Sequence, residues 1–193
     1  MNKTVLYIVG AVAIAGFWVS SSYNSLIPLD ETVQEKWSNV QNQYQKRSDL
    51  VPNIVATVKA AASSEKEILT GVIEARASAT KITVDIHDAE ELAQYQEQQQ
   101  GLSQALGRLM MITEQYPQIQ SNQNFLGLQT QLEGIENRVS VERTRYNESV
   151  KNFNVKVRSF PTNILAGIVG FEKYEPFKAS QKSQEAPDLI NAF

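Results

Sequence analysis

The chain has no cysteine and a single histidine, His87, in 193 residues. The first absence excludes a lipid-anchored lipoprotein and every disulfide. It leaves the compartment open, because only disulfides would have been diagnostic. Together the two absences remove the usual ligands of zinc, haem and copper sites. Glycine (9) and proline (6) are sparse, which argues for long helices over a sheet-rich domain. There is no phosphate-binding glycine loop and no G-x-S-x-G nucleophile motif. A carboxylate di-metal site in a helical bundle wants inward Glu-x-x-His pairs, and the chain has none. The cluster Asp85, His87, Asp88, Glu90 and Glu91 is accounted for by capping and by the helix dipole. A net charge of −3 gives no basic footprint for nucleic acid. No catalytic, cofactor-binding or metal-binding residue is assigned, and enzymatic activity is not expected.

The most informative absence is charge. None falls between Lys3 and Asp30, and Val5 to Val19 is apolar without a break. As a helix rising roughly 1.5 Å per residue, about 20 such residues cross the roughly 30 Å hydrocarbon core of a bilayer. Tyr7 lies near one edge of the run, with Trp18 and Tyr23 near the other, where amphipathic rings settle among headgroups. A cleaved signal peptide shares the positive start, but no A-x-A type of site follows the apolar run, and the run is long for an h-region. Residues 1–23 therefore read as a retained transmembrane anchor that meets the bilayer through 4–23. Lys3 precedes the span while Asp30, Glu31 and Glu35 come after it. That bias puts the N-terminus in the cytoplasm and the body outside. The small-xxx-small pairs Gly16/Ser20 and Ala11/Ala15 in the span permit close helix contact.

Beyond the anchor the chain is helical in pattern. Asp30 after Pro28 reads as an N-cap, opening a seam through Val33, Trp37, Val40, Tyr44, Arg47, Val51, Ile54, Val58 and Ala61. Pro52 lies in phase inside it and should bend the helix without ending it. Ser64 with Glu67 forms a capping box for a second helix on Ile68, Val72, Ala75, Ala79 and Ile82. Asp88 with Glu91 caps a third, with the seam Leu92, Tyr95, Gln99, Leu102, Leu106, Leu109, Thr113 and Tyr116, stopped by Pro117. From Ser121 or Asn122 a fourth carries Phe125, Leu128, Leu132, Ile135, Val139, Glu142, Tyr146, Val150, Phe153 and Val157, ending before Phe160-Pro161. Each seam is narrow with a period near 3.5, as in coiled-coil packing. The fold class is all-α: an N-terminal transmembrane helix, then an antiparallel four-helix bundle over residues 24–179. Asn163 to Phe171 suits a small terminal helix with a glycine stop, read as capping the bundle end because it lacks the basic face of an interfacial helix. Residues 180–193 read as a flexible tail.

Three seams carry polar residues near mid-bundle. Helix midpoints bring Arg47 level with Glu142, and Gln99 falls at nearly the same height. The expectation is an Arg47–Glu142 ion pair completed by Gln99, with Glu136, Arg138, Asp49 and Arg143 as reserve partners. Register control is the favoured purpose of such a layer over ligand binding.

Several stretches resemble the LemA family of bacterial membrane-anchored proteins. They are Trp37 to Lys59 with its core Tyr44-x-x-Arg47-x-Asp49-Leu50-Val51-Pro52-Asn53; Glu74-Ala75-Arg76-Ala77; and Arg143 to Phe153, leading into Phe160-Pro161-x-Asn163-Ile164 and Gly170-Phe171. The likeness covers about residues 23–179. It implies one span, a four-helix body, no established activity or cofactor, and neighbours among membrane proteins with TPM domains. The functional expectation is a membrane-anchored scaffold or interaction protein of the bacterial envelope, associating with itself or with another protein. The alternative is an envelope sensor or adaptor that binds a small ligand or peptide in or beside the bundle.

Overall fold

The computed structural model describes residues 3–81 and 83–178. Every regular element among them is a helix: α1 Lys3–Ala61, α2 Lys66–Lys81, α3 Ala89–Thr113, α4 Pro117–Gln120, α5 Gln123–Arg158 and α6 Thr162–Val169. Ile82 and the tail 180–193 lie outside the described residues.

The expected helix start at Asp30 is not there. α1 runs unbroken for 59 residues with both Pro28 and Pro52 inside it. An interior proline costs ~3 kcal/mol. Here the packing on either side of Pro28 outweighs that cost, because Leu26 and Val33 lie fully buried on one continuous face. The Asp30 carboxylate instead accepts from Gln34 Nε2 at 3.0 Å and from the Tyr174 hydroxyl at 2.8 Å. From Lys3 to Phe17 the helix is exposed throughout, and only from Trp18 and Ser22 onward is it covered.

The box at Ser64 is also absent. The chain turns tightly after Ala62, so Glu65 takes the position before α2 and its carbonyl accepts from Leu69 N at 3.1 Å. Ser64 Oγ points instead to the Tyr116 hydroxyl, 3.2 Å away. Asp88, by contrast, caps α3 by accepting from Glu90 N and Glu91 N. The Glu91 side chain accepts from Asp85 N rather than closing back on Asp88. Pro117 ends α3 and opens the single turn α4, which buries Ile119. Asn122 caps α5 through Asn124 N and Phe125 N.

α1 packs along α5, α2 along α3, and α2 also against α1. Later residues of α1 meet earlier residues of α5: Trp37 faces Tyr146, and ten residues on, Arg47 meets Glu136, ten residues back. The core has two parts. One gathers Leu26, Trp37, Tyr44, Tyr95, Tyr146, Phe153 and their neighbours; the other gathers Val51, Ile54, Leu69, Leu102, Leu106, Phe125 and theirs. Between Tyr44 and Val51 on α1, where one part gives way to the other, sits Arg47.

α6 packs on α1 and α5 and buries Thr162, Leu165 and Ala166. Gly170 ends it in the left-handed region, φ 85°, where a side chain would be strained. Beyond it, residues 171–178 run without regular structure back over the body.

Candidate functional site: a buried arginine layer and the strap beside it

Arg47 is the largest fully buried side chain, 1% exposed. Burying a guanidinium is costly unless its donors are met. Nη1 donates to Ser103 Oγ at 2.6 Å and to Glu136 Oε1 at 2.8 Å. Nη2 donates to Gln99 Oε1 at 2.6 Å and to the Gln99 carbonyl at 3.1 Å. The fork thus bridges α3 and α5 from α1 with two coplanar nitrogens where a lysine has a single point-like ammonium. Gln99 passes the link on, its Nε2 donating to the Ala79 carbonyl of α2 at 2.9 Å. The Tyr44 ring lies under the guanidinium, 5.0 Å from Cζ. One turn away, Arg76 Nε donates to the Ser48 carbonyl at 2.8 Å, tying α2 to α1 again.

The acid that pairs with Arg47 is therefore Glu136 and not Glu142. Glu142 pairs with Arg145 at 2.7 Å along its own helix. The reason is register: the Trp37–Tyr146 contact fixes which α5 residue lies opposite Arg47, and Glu142 is six residues, or about 9 Å, from that level. Asp49 is exposed and accepts from Gln45 Nε2 at 2.7 Å. Arg138 is exposed on α5. Arg143 lies over the Phe177 ring at 4.6 Å. Ser103, which shares Arg47 with Glu136, was not singled out by the sequence, since an isolated serine one turn after Gln99 carries no distinguishing signal. An open polar cleft of ≈ 400 Å³ adjoins the layer, between Tyr44, Gln96, Gln100, Glu136, Arg143 and Lys178.

The second feature is the strap 171–178. Asn154 grips Tyr174 with both ends of its amide, Nδ2 to the carbonyl at 2.8 Å and Oδ1 from the N–H at 3.0 Å. Asn147 does the same to Phe177, at 3.0 and 2.9 Å. Seven helical residues advance about 10 Å, and three extended residues advance about the same, so the two clamps match the strap's own repeat. Phe177 packs against Trp37 and Tyr146 with centroids 5.8 and 5.4 Å apart. On the other side His87 stacks on Tyr174 at 4.2 Å, its Nδ1 3.0 Å from the Lys173 carbonyl. Glu175 N donates to the Ile86 carbonyl at 2.9 Å. The only histidine thus serves the strap.

Burial pushes the hydroxyls of Tyr44, Tyr95 and Tyr146 above the ordinary tyrosine range. Burial, with the hydrogen bond to Asp30, pushes Tyr174 up to about 12. Near pH 10 the unfolded chain's tyrosines release protons that the folded chain still holds. Stability is therefore intact below about pH 10 and is lost as pH rises towards 12. Tyrosinate absorbance and helical circular dichroism, tracked together, should change in step for these four residues. Their ionisation at pH 10 with the helices intact would contradict this.

Among the described residues these elements define an all-α protein with one helix long and apolar enough to cross a membrane and a helical body joined by an arginine layer. The chain belongs to the LemA family, whose model matches residues 36–190. It is 27% identical over 194 residues to Magnetosome protein MamQ 2 of Paramagnetospirillum magneticum, covering 90% of this chain and 71% of that protein. Magnetosome protein MamQ 1 of the same organism matches equally. Magnetosome protein MamQ of Magnetospirillum gryphiswaldense is 28% identical over 174 residues, covering 80% of this chain and 64% of the relative.

Proposed function

We propose that this chain is a membrane-anchored, non-catalytic helical scaffold of the bacterial envelope. Residues 1–23 anchor it, 24–179 form an antiparallel four-helix bundle, and 180–193 form a tail. The observation that carries the reading is the apolar stretch of α1, the one helix among the described residues long and apolar enough to cross a membrane, with none of that stretch buried. A soluble core helix would have its apolar window covered. The same helix continues without a break into the body, where Leu26 is fully buried, so cleavage near Ser22 would leave the body beginning at its own core. The opposed pairing of Trp37 with Tyr146 and of Arg47 with Glu136 supports the antiparallel arrangement. The family and the magnetosome proteins related to it fit a membrane-associated role.

The charge bias around the span places the body outside the cytoplasm. Protease added to intact spheroplasts should then digest the body. Protection there, with cleavage only in inverted vesicles, would reverse the orientation. A purified protein that starts near Ser22 would remove the anchor. Crosslinking in native membranes should capture a second copy or another membrane protein on the polar helix faces.

The cleft beside Arg47 favours one second reading, a sensor or adaptor that takes a small polar ligand there. It ranks lower because both terminal nitrogens of the buried guanidinium already have protein acceptors and only Nε has none, so a ligand would meet mainly Arg143, Lys178 and the glutamines at the rim.

A further inference from the structure

α6 has a second face. Leu165 and Ala166 are covered, but Ile164 and Ile168, four residues apart on α6, are exposed, and so is Phe160 in the turn before the helix. Residues at that spacing form one stripe along a helix. Phe160 is 82% and Ile168 78% exposed, and the whole stretch from Ser159 to Phe171 is uncharged. Apart from the span itself, no other described helix presents such a continuous exposed apolar stripe.

Its position gives the stripe a meaning. Carrying the α1–α5 pairing on from Trp37 and Tyr146 brings Arg158, the last residue of α5, level with Ser25, with Phe160 in the turn that follows. The Phe171 ring, just past α6, lies 6.1 Å from the Tyr23 ring. If α1 begins crossing at Thr4, about 20 residues of hydrocarbon end at Tyr23. The stripe is therefore at the height where the bilayer surface meets the body. Lys156 and Arg158, in the last turn of α5, stand beside it as cations for lipid phosphates.

We infer that the outer face of α6, with Phe160, is a second membrane contact, seated in the interface of the same bilayer that holds α1. This rests on the anchor reading. It makes the body a two-point attachment: a helix hinged only at the span could tilt freely, whereas an apolar foot at the side of α1 fixes the body against the membrane. The basic residues that an interfacial helix ordinarily carries on its own polar face come here from the end of α5.

A chain with no cysteine allows the test on the full-length protein. Single variants Ile168→Cys, Val12→Cys and Met111→Cys, each labelled with bimane, would be reconstituted into vesicles containing anionic lipid. Helical circular dichroism checks their folding. Lipids brominated high on the acyl chain should remove about half the fluorescence at position 168, matching the roughly 5–10 Å depth of interfacial helices. Val12 should be quenched as well, and Met111, at the far end of α3, should answer only to aqueous iodide. Val12 unquenched by bromolipid overturns the anchor and this inference together. Val12 quenched while position 168 answers only to iodide overturns this inference alone. A label at 168 shielded from both quenchers overturns it in favour of contact with a second copy.

Discussion

Arg47→Ala should lower the unfolding free energy by about 3–5 kcal/mol, measured by chemical denaturation of the full chain in detergent. Two losses add. A fully buried long side chain leaves a cavity between the two halves of the core, and the acceptors Gln99 Oε1 and Ser103 Oγ lose a short bond each. Glu136 contributes less to the cost, because its side chain is 38% exposed and can rehydrate. For the same reason Glu136→Ala should cost less, roughly 2–3 kcal/mol. It strands a guanidinium, a defect worth about 3–5 kcal/mol when fully buried, but water can enter from the adjoining cleft. Glu136→Gln keeps a neutral acceptor and should cost about 1–2 kcal/mol. The order alanine at 47, alanine at 136, glutamine at 136 is the signature of a buried cation held by a half-exposed acid. An Arg47→Ala protein within about 1 kcal/mol of the parent would mean the layer is already hydrated.

Such a layer contributes little net stability over apolar packing. Its consequence is alignment. Arg47 reaches α3 and α5 at once, and Gln99 carries the connection to α2. A slip of α1 by one turn carries Arg47 about 5 Å from Ser103, Gln99 and Glu136 and leaves its charge buried without those acceptors. The layer lies where the aromatic-rich part of the core meets the aliphatic part, so it adds to the register that the Trp37–Tyr146 contact sets.

What the sequence could convey depended on how local each cause was. The α3 seam from Leu92 to Thr113 is buried at each position the periodicity selects, because one narrow apolar stripe has one way to be covered. Asp88 caps because its bonds close within three residues. Asp30 looks equally like a cap, yet α1 passes through it, since burial of Leu26 and Val33 on one face is a tertiary gain that no local signal carries. The polar layer was legible as a set of polar positions in apolar seams, but the choice between Glu136 and Glu142 depends on helix register. A midpoint estimate errs by a few residues, enough to select the wrong acid. The strap was invisible for another reason. Its backbone is paired by Asn147 and Asn154 of α5, which read as ordinary solvated positions. The available signal was the three-residue spacing of Phe171, Tyr174 and Phe177.

Phe177→Ala should cost about 3–5 kcal/mol, as large-to-small changes of buried aromatics do. Phe177 is buried and touches Trp37 and Tyr146, so its loss opens the aromatic half of the core and destabilises α1 and α5 together. The clamps behave differently. Asn147→Ala or Asn154→Ala removes two hydrogen bonds to strap backbone, and each should cost about 1–3 kcal/mol, depending on how far water can replace them. Their effect should be local. Hydrogen exchange at Tyr174 and Phe177 should quicken while exchange deep in α5 stays slow, because the strap can lift without the helices parting. With both asparagines replaced, the strap should be cleaved by protease before the body. The Phe177 variant should instead raise exchange throughout the aromatic cluster. The two patterns separate a strap that completes the core from one that merely lies on it. A chain truncated after Gly170 with the parent's thermal midpoint would show that the strap contributes nothing. The fit between the two asparagines and the two backbone positions they hold predicts a large fall.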